Sequence, residues 1–124
     1  MGTQFREGGV ACPALDWRQL KAQGIAESSL NQGAVSSAGA VGIMQILPAY
    51  YPMYDATLLK TDPAYNIMAG GQIMCGLISS TGNFNNALTH YIGGTHPNPA
   101  NPTIRSYVNT VNRYALAAGV PNTA

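Results

Sequence analysis

Charge is scarce in this 124-residue chain: five acidic and six basic side chains amount to 9% of it, with a formal net charge of +1. The basic residues (Arg6, Arg18, Lys21, Lys60, Arg105 and Arg113) are scattered, so no stripe can neutralise a row of phosphates and a nucleic-acid partner is not expected. Long apolar runs are missing too. None approaches the roughly 20 residues that span a bilayer, and the first residues lack the basic-then-apolar layout of a secretory leader. No membrane span and no signal peptide are therefore expected in the chain as it stands. Cys12 and Cys75 are the only thiols, too far apart for a zinc site or a redox pair. They are either two buried free thiols or one long-range disulfide. With 46% hydrophobic residues and so little charge, Asn, Gln, Ser, Thr and Tyr must build the polar surface, which then binds by hydrogen bonds.

No alternating strand pattern occurs, and helical spacing recurs along the chain. Pro13 reads as a first-turn proline, with Trp17, Leu20 and Gly24 following at helical spacing, so a first helix is expected to end near Ser28. Ser36 to Gly42 reads as a compact turn leading into Ile43 to Leu47, and Pro48 to Lys60 as an aromatic loop with a short helical turn. Asp62 before Pro63, Asn83, and Asn101 before Pro102 each read as the cap of a further helix. The expected fold is all-α, four to six helices in one domain over residues 13–119. Residues 1–12 form an N-terminal extension and 120–124 a C-terminal tail.

Five residues are acidic: Glu7, Asp16, Glu27, Asp55 and Asp62. Glu7 falls in the N-terminal extension, Asp16 in a first helical turn and Asp62 at a cap, each with a structural job. Glu27 remains, with Asp55 behind it. It stands at a helix end beside Ile25, Ala26 and Leu30, ahead of a bend rich in glycine and serine. Apolar surroundings raise a carboxyl pKa and suit it to acid chemistry on a polar, uncharged substrate. His90 and His96 with Asp55 match no metal-ligand spacing, and neither histidine belongs to a nucleophile motif, so no metal and no cofactor are expected.

Around Glu27 the chain resembles the lysozyme-like soluble lytic transglycosylase (SLT) domains of bacteria and their phages. Glu27, Ser28 and Asn31 match a first block, and Ser36, Gly39, Ala40, Gly42, Ile43, Met44, Gln45 and Ile46 a second. Asp62, Pro63, Asn66 and Ile67 match a third; Arg105, Tyr107, Val108 and Val111 resemble the last. The blocks run in order across residues 14 to 115. In the fourth block, Tyr91 and Gly93 or Gly94 hold their places, but Ile92 stands where the family has asparagine and His90 where it has a small residue.

This resemblance implies a lysozyme-like fold with a substrate cleft, and cleavage of peptidoglycan between N-acetylmuramic acid and N-acetylglucosamine by a single acid. Glu27 would be catalytic, with Ser28, Ser36, Met44, Gln45 and Tyr91 binding substrate, and Tyr91 closing the cleft opposite the acid. Tyr50, Tyr51 and Tyr54 either stack on sugars or pack. A 1,6-anhydro product marks the transglycosylase; a muramidase would use the same Glu27 with water. A reading of another class is a catalytically weak glycan-binding module of a secretion or phage-tail apparatus, which Ile92 favours. The implied setting is the periplasm or cell wall, or a phage virion or lysin.

Overall fold

A computed structural model describes Phe5 and residues 12–121. Among the described residues there are five α-helices and no strand: α1 (Trp17–Ser28), α2 (Ala56–Thr61), α3 (Pro63–Thr81), α4 (Phe84–Gly93) and α5 (Pro102–Ala117), with a 3-10 turn at Pro48–Tyr50. None of these helices is long and apolar enough to cross a membrane.

Each α-helix starts on a side chain that accepts an otherwise unpaired backbone N–H, the arrangement that favours Asp and Asn at this position. Asp16 accepts from the Arg18 N–H at 2.8 Å, while Gln19 reaches back to the Asp16 N–H, completing a capping box. Asp55 caps α2, Asp62 caps α3 ahead of Pro63, Asn83 caps α4, and Asn101 caps α5 ahead of Pro102. The first helix therefore begins at Trp17, four residues later than Pro13 suggests, because the Asp16 cap sets the start. Asp55, second among the candidate acids, is likewise a cap.

Helix α1 packs on α5, and α3 packs on both α2 and α4. Between them lie Ile43, Met44, Leu59, Ile67, Met74, Leu88 and Val111, all fully buried. Burial of this kind contributes about 25 cal/mol per Å2 of apolar surface and holds the domain together. Phe5 is buried as well, and a Cβ on Gly24 would lie 3.3 Å from its ring. Cys12 forms a disulfide with Cys75 of α3, their Cα atoms 6.1 Å apart. Two residues of the expected N-terminal extension thus belong to the packed domain. Residues 1–4, 6–11 and 122–124, Glu7 among them, lie outside the described residues.

The segment between α1 and α2 is what positions the site. It folds on itself through two isolated antiparallel bridges, Val35 with Val41 and Val41 with Ile46. Asn66 of α3 clamps it from beneath: buried completely, its amide nitrogen donates to the Val41 and Leu59 carbonyls and its oxygen accepts from the Met44 N–H at 2.8 Å. Gln32 adds a second clamp, donating to Leu59 and accepting from the Ile43 N–H. Gly42 is required here, since it holds φ +79° and any Cβ would collide with the Asn66 side chain.

Candidate active site

Glu27 occupies the last turn of α1, where the helix ends abruptly. Ser29 and Leu30 take left-handed backbone angles, φ 57° and 62°, and the Ser29 N–H returns to the Ile25 carbonyl at 2.9 Å. Two consecutive non-glycine residues in this conformation cost on the order of 1–3 kcal/mol each and persist only where the surroundings enforce them. Ser28 provides part of that enforcement. Its hydroxyl donates to the Ile43 carbonyl at 2.8 Å and accepts from the Asn31 N–H, tying the helix end to the folded segment that follows.

The Glu27 carboxyl sits largely out of water, and this desolvation raises its pKa from 4.5 to about 7. One hydrogen bond opposes the shift: the Tyr107 hydroxyl of α5 donates to Glu27 Oε2 at 2.7 Å. Burial, followed by the neighbouring Glu27 charge, pushes the Tyr107 hydroxyl well above the usual tyrosine range, so it stays a neutral donor. Tyr91 of α4 stands beside the same carboxyl and is raised for the same reasons. At neutral pH the site therefore holds one acid that exchanges its proton readily, and two phenols that do not.

The substrate-binding residues expected from sequence are arranged differently from one another. Met44 is fully buried, and a Cβ on Gly70 would lie 2.6 Å from its Cγ, so its side chain packs against α3 instead of facing a sugar. The Gln45 amide nitrogen donates to the Ala34 and Gly42 carbonyls, with its backbone at φ 50°, and is thus spent on shaping the loop. Ser28 is committed to the loop as described. The Ser36 oxygen accepts from the Ala40 N–H, and its O–H remains available to a substrate. Tyr91 donates to the Met44 carbonyl at 2.7 Å, spanning from α4 to the loop instead of reaching the carboxyl.

The domain also carries a groove of about 1240 Å3, with Tyr50, Tyr51, Thr89, His90 and His96 among its walls. Glu27 is not part of that lining; Tyr51 of the groove wall and Glu27 both help to raise the Tyr91 hydroxyl. Tyr50 is 74% exposed, as a stacking surface requires. Tyr54 instead packs edge-to-face on Tyr65 and donates to Gln72, so it serves the fold.

Tyr107 belongs to the last motif block, and nothing in its sequence position signals the bond to the acid. Only the proximity of α1 and α5 reveals it, across 80 residues. Asn66 belongs to the third motif block, which does not reveal its clamping role.

Removing the Tyr107 donor has a defined sign. Because its hydrogen bond favours the ionised carboxyl, Tyr107→Phe is expected to raise the Glu27 pKa above about 7. The alkaline limb of the pH–rate profile should move upward, while the maximal rate falls about tenfold as the carboxyl loses its orientation. A downward-moving limb would contradict the assignment.

An all-α arrangement of the described residues around one buried, protonatable glutamate is consistent with a lysozyme-like domain. Residues 11–107 match the transglycosylase SLT domain, so the chain belongs to that family. A transglycosylase of Enterobacteria phage PRD1 is 34% identical over 85 residues, covering 68% of this chain. The aligned region amounts to 32% of the phage protein, so the chain spans about a third of that relative's length.

Proposed function

We propose that this domain cleaves the β-1,4 bond between N-acetylmuramic acid and N-acetylglucosamine in peptidoglycan as a lytic transglycosylase, with Glu27 as its single acid and base. The observation that carries this reading is the Glu27 carboxyl itself: desolvated, with a pKa of about 7, and held by Tyr107. Glycoside cleavage needs a proton delivered to the leaving oxygen and a way to quench the oxocarbenium-like centre that remains. The other described acids are engaged elsewhere, Asp16 with Arg18 and Asp55 and Asp62 in caps, which suits a one-carboxyl mechanism.

In that mechanism the Glu27 proton passes to the glycosidic oxygen as the bond to C1 of the muramic acid breaks, freeing the 4-hydroxyl of the glucosamine. The 6-hydroxyl oxygen of the same muramic acid then bonds to C1, and its proton returns to the Glu27 carboxylate. The products are a 1,6-anhydro end and a regenerated acid, with no water consumed. In this reading Ser36 binds the glycan by hydrogen bonding, and Tyr50 and Tyr51, which line the groove, by stacking. The disulfide is at home in oxidising surroundings, consistent with a periplasmic, wall or virion setting.

Mass spectrometry of soluble fragments from purified peptidoglycan tests the reading. Anhydro-muropeptides are the expected product. Reducing muramic ends would make the domain a muramidase using the same acid, and bound but uncleaved glycan would make it a binding module, the reading that Ile92, 41% exposed where the family has asparagine, favours.

A further inference from the structure

Gln23 is the one buried polar side chain among the described residues with neither polar atom in a hydrogen bond of standard geometry. It lies four residues before Glu27 on α1, one helical turn away on the same face, and α1 is the helix that packs on α5, which carries Tyr107. A buried amide without partners is a cost that packing alone does not explain, since a methionine of the same length would fill the space. Its amide nonetheless lies close enough to the Tyr107 hydroxyl to favour that group's ionised form. From this arrangement we infer that Gln23 is a positioning residue for catalysis, its amide N–H2 directed at the Tyr107 oxygen so that the phenolic hydrogen points to Glu27 Oε2.

The chemistry is that of a two-step relay. A phenol that accepts one hydrogen bond donates a stronger one, and its O–H rotor is fixed toward the remaining partner. Gln23 would thereby hold the Glu27 carboxyl in one orientation for both halves of the reaction and keep its pKa from climbing out of the working range. The titratable groups that face Glu27 are Tyr107 from α5 and Tyr91 from α4, the latter backed by Tyr51 and Tyr54. Of these, Tyr107 alone has Gln23 among the groups that influence its ionisation.

The role given to Gln23 rests on Glu27 being the acid, so its test needs a readout independent of glycan cleavage. The Glu27 carboxyl should be titrated by 13C NMR in the wild type, Gln23→Met, Tyr107→Phe and the double variant, with thermal unfolding alongside. In Gln23→Met the Glu27 midpoint is expected to rise, the Tm to hold or increase, and kcat to fall about five- to tenfold with KM within about twofold. In the Tyr107→Phe background the same substitution should leave the midpoint where Tyr107→Phe put it, because the relay has no middle member. An unmoved midpoint in Gln23→Met, or the same shift with and without Tyr107, would overturn the inference. If the wild type cleaves no wall while the midpoints move as described, the relay stands and the proposed function fails.

Discussion

Glu27→Gln is expected to slow wall clearing by about 10²–10⁴-fold or more, the range that a positioned acid contributes, while the domain stays folded. The amide preserves the shape of the side chain and still accepts from Tyr107, so the loss isolates the proton. The same substitution should stabilise the protein at high pH. Because the folded-state pKa of Glu27, about 7, lies above the ordinary 4.5, the folded chain retains a proton between those values that the unfolded chain has released. Wild-type stability therefore declines as pH rises through that window. At about 1.4 kcal/mol per pKa unit, the cost approaches ~3 kcal/mol once pH exceeds about 7. Glutamine escapes it. Denaturant unfolding should show the variant nearly equal to wild type at about pH 4 and more stable by ~2–3 kcal/mol at about pH 8. Equal stability at both values would mean that the carboxyl is solvated and unsuited to the role.

Removing the disulfide should produce the largest loss of stability. Cys12 and Cys75 are 63 residues apart in sequence, and closing a loop of that length restricts the unfolded chain by about 4 kcal/mol in the chain-entropy account. The bridge joins the segment before α1 to α3, so it spans the core instead of reinforcing one hairpin. A Cys12→Ala, Cys75→Ala double variant should unfold more than about 10 °C below the wild type. Glycan cleavage well below that temperature should be retained, since the groups that set the Glu27 and Tyr107 ionisation do not include either cysteine. A loss under about 1 kcal/mol would show that the packed core suffices without the bridge.

Much of the fold was legible because this chain announces its helix starts with caps. Asp62–Pro63 and Asn101–Pro102 each combine a side-chain acceptor with a first-turn proline, Asn83 offers the acceptor alone, and α3, α5 and α4 begin there. The start of α1 is less plain, since Pro13 suggests an earlier start although Asp16 and Gln19 spell a capping box, and the six-residue helix capped by Asp55 falls in a segment whose sequence shows only a short helical turn within a loop. So short a helix offers too few turns for an apolar period to show.

The site divides along similar lines. Glu27 stands out because the other described acids have local uses, a matter of short-range sequence. Its partner does not stand out, because Tyr107 meets the carboxyl only through the packing of α5 on α1, just as Asn66 meets its loop only through the packing of α3. On α5 the tyrosine that serves the acid shares the helical spacing of Ile104 and Val111, which fill the core. Met44 and Gln45 show the converse, a motif that reads as a row of ligands yet folds with one side chain in the core and the other bound to its own loop.

The pH dependence of glycan release from purified peptidoglycan by the wild-type domain tests the central claim most directly. If protonated Glu27 is the acid, kcat/KM falls on the alkaline side with a midpoint near 7. A rate that keeps rising past about pH 8, or an alkaline limb near the ordinary carboxyl value of 4.5, would contradict it.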